Sequence, residues 1–194
     1  MFNWFKGRPH RATAERLYEQ IVSQARQPEF YASFGVSDDV AGRFEMVCLH
    51  MFGVMERIGL AGATDTLGRE LVEAFFRDMD DVMREMGVGD TTVPKKMRKT
   101  SEGLYGRLDA YGRGIRDDDR AALSAALARN IYADESRGDT MEARALAGYT
   151  RRMVAELTEE SDEAVTVDAR IAFPELGSDR VTDATDAVPG VAAQ

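Results

Sequence analysis

Apolar residues recur three and four positions apart through most of the chain, the spacing that gathers them on one side of an α-helix. Ala14, Leu17, Tyr18, Ile21, Val22 and Ala25 form the first stripe, and Pro28 stops its continuation. A second helix is predicted from Ser37 or Asp38, with Val40, Phe44, Val47, Met51, Met55 and Ile58 inward and Cys48 and Phe52 beside them. Gly59 and Gly62 loosen the chain after it. Leu67, Leu71, Phe75, Met79, Val82 and Met86 mark a third helix, with Thr64, Asp65 and Thr66 available to cap it and Gly87 and Gly89 to end it. Pro94 suits the first turn of a fourth, which carries Met97, Ser101, Leu104, Leu108, Tyr111 and Ile115. Asp117, Asp118 and Asp119 complement the positive end of a fifth, Ala-rich helix through Leu123, Leu127 and Ile131. Asp139 with Glu142 has the form of a capping box opening a sixth helix to about Leu157.

The chain shows no internal repeat and no long alternating pattern that would build a sheet. The expectation is an all-α protein: a single helical bundle or irregular array of about six helices. Residues 13–157 form the helical domain, 1–12 a flexible amino-terminal segment, and 158–194 an acidic, mostly disordered tail. Within that tail only Val167 to Phe173, VDARIAF, has the composition to pack or pair.

Charge changes this picture in two places. Of the formal −9, the stretch from Thr158 to Gln194 holds nine acids and two bases, a net of −7, which leaves about −2 for the rest. The overall −9 argues against DNA as a partner, although the body itself is nearly balanced. Three of the four lysines, Lys95, Lys96 and Lys99, cluster with Arg98 at the start of the fourth helix. Like charges beside the positive end of a helix are locally unfavourable, so something offsets them. Either the acids of the third helix, Asp78, Asp81 and Glu85, pair with them across the turn, or an acidic partner, an anionic lipid surface or RNA phosphate does.

No run reaches the roughly 20 apolar residues that span a bilayer, and MFNWFKGRPH lacks the apolar core of a secretory signal. The single cysteine, Cys48, has no internal disulfide partner. The expected location is cytoplasmic, peripheral at the inner face of the cytoplasmic membrane. Phe2, Trp4 and Phe5 beside Lys6 and Arg8 form either a frayed end or a membrane-touching one.

Candidate chemistry is sparse. The acids Asp78 to Asp81, DMDD, invite comparison with the magnesium-binding helices of all-α isoprenoid or quinone enzymes, the alternative function considered. A DDxxD pattern from Asp80 would need an acid at position 84, where Arg84 stands. His10 and His50 lack the Glu-x-x-His context of a di-iron bundle, and Cys48 and His50, two apart on a helix, point away from each other. His50 is read as structural, Cys48 as a small core residue, and no catalytic residue, metal or cofactor is assigned.

Several stretches in order carry a resemblance: LYEQIVSQARQPEFY from Leu17, GVSDDVAGRFEMVCLHMF from Gly35, FFRDMDDVMREMGVGD from Phe75, VPKKMRK from Val93, and YGRLDAY from Tyr105 to Tyr111. Together they resemble the ubiquinol–cytochrome c chaperone family over roughly Glu15 to Tyr149. The resemblance implies a helical assembly chaperone without cofactor or turnover, which helps cytochrome b mature or enter the bc1 complex. Its implied partners are cytochrome b or another bc1 assembly component, a small companion factor, and a transient anionic membrane; it leaves ribosome contact open. Lacking the amino-terminal import sequence of mitochondrial members, the chain looks like a compact bacterial relative.

The positions carried over are Gly42, Arg43, Phe44, His50, Asp78, Asp80, Arg84, Glu85, Gly87, Gly89, Asp90, Lys95, Lys96, Tyr105, Gly106, Arg107 and Tyr111. The candidate partner-binding set takes their charged members with His50, Tyr105 and Tyr111, and adds Arg98 and Lys99. Phe44, Tyr105 and Tyr111 are also expected to pack, and the glycines to set the turn between the third and fourth helices.

Overall fold

A computed structural model describes residues 10–87 and 93–176, apart from the side chains at 65, 93–96, 98 and 99. The described elements are helical: α1 Arg11–Ala25, α2 Pro28–Ala32, α3 Val40–Leu60, α4 Arg69–Glu85, α5 Val93–Arg116, α6 Arg120–Ile131, α7 Met141–Glu159 and α8 Asp162–Thr166. A π-helical turn, Thr64–Gly68, precedes α4, and a 3-10 turn, Glu135–Asp139, precedes α7.

Helix α3 is the central post, with α1, α5, α6 and α7 packed around it. Its sequence, VAGRFEMVCLHMFGVMERIGL, is apolar on most sides, so Met46 through Val54 is buried without interruption. The Asp39 side chain caps it by accepting from the Gly42 amide at 2.8 Å. Gly42 is fixed by a close approach: a Cβ there would stand 1.9 Å from the Ser37 carbonyl oxygen.

Two expected caps differ. No side chain caps α4, because the π-helical turn runs straight into it and Gly68 holds the N-cap position. Ahead of α7 the cap is Thr140, one residue beyond the predicted Asp139, and it accepts from the Ala143 amide at 3.3 Å. Asp139 instead pairs with Arg144 at 3.0 Å. Gly87 closes α4 at φ +75°, a left-handed conformation that suits glycine; Gly89 and Asp90 lie outside the described residues, as do the amino-terminal aromatics.

The packed body extends past Leu157, where the sequence placed the end of the helical domain. Buried Arg57 of α3 donates twice to the Glu160 carbonyl, at 2.6 and 3.2 Å, and once to Asp162 at 2.6 Å, which fixes the corner between α7 and α8. Beyond α8, Val167 to Phe173 lies along α1. Gln20 donates to the Ala169 carbonyl at 2.7 Å and accepts from the Ile171 amide at 3.4 Å, so one side chain satisfies two main-chain groups that a sheet would otherwise pair. Ala169 and Ile171 are buried as a result.

Candidate functional site

Helices α4 and α5 carry most of the residues singled out above, and α4 divides along its length. Its first half is anchored: Leu71 and Phe75 are fully buried, and burying one such side chain contributes about 2 kcal/mol. Tyr18 of α1 donates its hydroxyl to Asp78 at 2.7 Å, near the middle of the helix. Beyond it, Asp80 accepts from Arg84 one turn on at 2.6 Å, while Asp81 and Glu85 are exposed. On the other side of the helix Met79, Val82 and Met83 are half-buried, and Met86 is 61% exposed.

The basic run lies within the first turns of α5: Lys95, Lys96, Arg98 and Lys99 are helical there, and their side chains fall outside the described residues. One turn further, Tyr105 is 53% exposed. Then α5 turns inward. Arg107 makes a two-pronged pair with Glu45 of α3, lies 5.6 Å over the Phe44 ring, and donates to the Gly103 carbonyl at 2.8 Å. Burial pushes the Glu45 carboxyl up, and the Arg107 guanidinium pulls it down. Tyr111 is fully buried, edge-on to Phe52 at 5.6 Å.

His50 belongs to a different place altogether, the fully buried junction of α1, α3 and α7. Its Nδ1 lies 2.7 Å from the Met46 carbonyl oxygen, which can only accept, so Nδ1 carries the proton. Nε2 then accepts from the Tyr149 hydroxyl at 2.8 Å, and Gln24 donates to that hydroxyl oxygen at 3.2 Å. Phe30, Phe173 and Tyr149 surround the imidazole at centroid distances of 5.3, 5.3 and 5.7 Å. Burial pushes its pKa down to about 4, so His50 is neutral near pH 7.

Of the expected partner-binding set, therefore, His50 and Tyr111 are withdrawn into the core and Arg107 is committed to Glu45. Those three hold the fold. Arg43 of α3 stands apart from the helical hairpin of α4 and α5, paired with Asp38 at 2.8 Å beside Tyr31 and Arg26 in a hollow of about 500 Å³. Tyr149, Glu45 and Gln24 were missed by the sequence reading; their periodic positions signal a helix face, but nothing in one sequence says which faces meet.

Cys48 is buried and desolvation pushes its thiol pKa up, which keeps the proton on sulfur. Among the described residues, no group of three or more His, Cys, Asp or Glu side chains is placed to hold a metal ion. No described helix is long and apolar enough to cross a membrane.

Three comparisons bear on this arrangement. Residues 32–171 match the family model described as ubiquinol-cytochrome C chaperone. A Xenopus laevis protein named ubiquinol-cytochrome-c reductase complex assembly factor 1 is 28% identical over 142 residues, 73% of this chain and 70% of that protein. The crystal structure of the Cbp3 homolog from Brucella abortus superposes with a TM-score of 0.76 at 38% identity, covering 87% of this chain and 92% of that one.

Proposed function

The chain belongs to the ubiquinol-cytochrome C chaperone family, and from that premise we propose that it assists assembly of the ubiquinol–cytochrome c oxidoreductase by binding a client, without turnover. The observation that carries this reading is the family match across residues 32–171, joined to the shared fold of the Brucella abortus protein. The client is cytochrome b or another component of the bc1 complex. It is met at the inner face of the cytoplasmic membrane, where a newly made membrane subunit needs cover before its neighbours arrive.

The outer half of α4 and the start of α5 supply the contact. Exposed Asp81 and Glu85 fix orientation through charge, while Met79, Met83 and Met86 are unbranched, polarizable side chains that adapt to an apolar segment. Deleting the gene lowers the haem-b absorbance and bc1 activity of membranes at unchanged transcript level, and a detergent pull-down with mass spectrometry recovers cytochrome b. Normal bc1 levels in the deletion strain would overturn the proposal.

A further inference from the structure

A groove of about 610 Å³ opens between α6 and α7, on residues the proposed client contact does not use. Four arginines line it: Arg120 at the start of α6, and Arg144, Arg151 and Arg152 along α7. Ser124, Gly138 and Gly148 also line it, and Ser124 donates to the Gly138 carbonyl at 2.6 Å. Positions 144, 148, 151 and 152 fall at i, i+4, i+7 and i+8, one face of a helix. At 1.5 Å per residue the three arginines of α7 span roughly 12 Å, a distance that an extended chain covers in about four residues.

Two of these guanidiniums already hold carboxylates. Arg144 bonds Asp139 at 3.0 Å and Arg151 bonds Asp118. Both carboxylates are largely in solvent, with side-chain exposures of 94% and 75%, so little opposes their replacement. Asp118 holds its place from a left-handed backbone, φ 52°, which is unfavourable for a residue with a Cβ. Arg120 meets no carboxylate among the described residues.

We propose that this groove binds a short acidic segment of a partner protein, whose carboxylates take the places of Asp118 and Asp139 on Arg151 and Arg144. The arginines are already oriented for carboxylates, and a guanidinium receives two oxygens of one carboxylate in a fixed fork. A membrane or a nucleic acid is a poorer occupant. Such long polyanions run past the arginine face onto Asp117 and Asp119 beside Arg120, whereas a few residues of peptide lie within that face. The proposal does not depend on which client the protein assembles.

Fluorescence anisotropy of the full chain with a labelled, acetylated hexapeptide of Asp and Glu tests it, against the same peptide in Asn and Gln. The acidic peptide binds and the amide peptide does not. Combining Arg144→Glu with Arg151→Glu weakens binding by about tenfold or more at unchanged helicity. Asp118→Gly removes the competing carboxylate and relieves the left-handed backbone, so it tightens binding about threefold without lowering the melting temperature. That gain cannot come from misfolding. The proposal falls if the wild type ignores the peptide, if the double variant binds it as the wild type does, or if Asp118→Gly fails to tighten it. It falls equally if phosphatidylglycerol vesicles depend on Arg144 and Arg151 while the peptide does not.

Discussion

His50 and Tyr149, between α3 and α7, direct their hydrogen bonds at the protein itself, whereas Asp81 and Glu85 at the outer end of α4 are exposed. His50, Asp81 and Glu85 all lie in stretches that carry the family resemblance, and Tyr149 lies outside them. In the first, polar atoms are satisfied within a dry aromatic shell, so a lost partner leaves a buried group unpaired. In the second, a lost carboxylate is replaced by solvent. Polar residues at the junction thus specify how helices meet, while the exposed ones on α4 are those we propose to meet a client.

The comparison breaks most sharply at Tyr149. Tyr149→Ala empties the centre of the aromatic shell and strands the Nε2 of His50, an expected loss of roughly 3–5 kcal/mol by urea denaturation. Tyr149→Phe keeps the ring and removes only the hydroxyl between Gln24 and His50, so it separates packing from hydrogen bonding at about 1–3 kcal/mol. If Tyr149→Phe is silent, the network is packing alone.

Acid probes the same junction by titration. The unfolded chain protonates His50 near its ordinary pKa of 6.5, and the native state resists until about pH 4. The folded pKa is the lower one, so the stability is fully present above pH 6.5 and is lost as the pH falls toward 4, to a total of roughly 3 kcal/mol. His50→Gln retains a donor and an acceptor but does not titrate. Its urea midpoint at pH 7.5 is lower than that of the wild type, and the difference narrows by pH 5. A constant difference across that range would place the acid sensitivity elsewhere.

Arg107 and Glu45 stand between the two regions, with side-chain exposures of 17% and 11%. Arg107→Ala leaves Glu45 nearly buried without its partner, and allowing for the residual solvent this costs about 2 kcal/mol. Adding Glu45→Gln to Arg107→Ala removes the stranded charge and recovers part of the loss. A double variant no better than the single one would mean that Arg107 acts mainly through its stacking on Phe44.

The six long helices were legible because their apolar residues recur at helical spacing, and a stripe such as Leu71, Phe75 and Met79 is visible in one dimension. The path from α8 to Phe173 was not, because its order comes from side chains remote in sequence, Arg16, Gln20 and Arg57. The candidate site was legible only in part for the same reason. A motif position names a residue type and not its surroundings, and His50 and Glu85 look equally polar on paper. Burial separates them, and burial depends on which helix faces pack together.

The smallest expected effect on stability is the most informative about the hairpin. Asp81→Lys with Glu85→Lys changes two exposed positions on one face of α4, so the unfolding free energy shifts by no more than about 0.5 kcal/mol. Client capture responds differently. Reversing both charges inverts the local field that would orient an incoming segment, and recovery of cytochrome b in the detergent pull-down drops by about tenfold. Tyr149→Phe provides the reverse control: stability declines while the hairpin surface is untouched, and capture at low temperature, where the variant remains folded, stays near the wild-type level. If charge reversal leaves capture intact and Tyr149→Phe abolishes it, the client docks on the α1–α3–α7 side and the roles assigned to the two regions exchange.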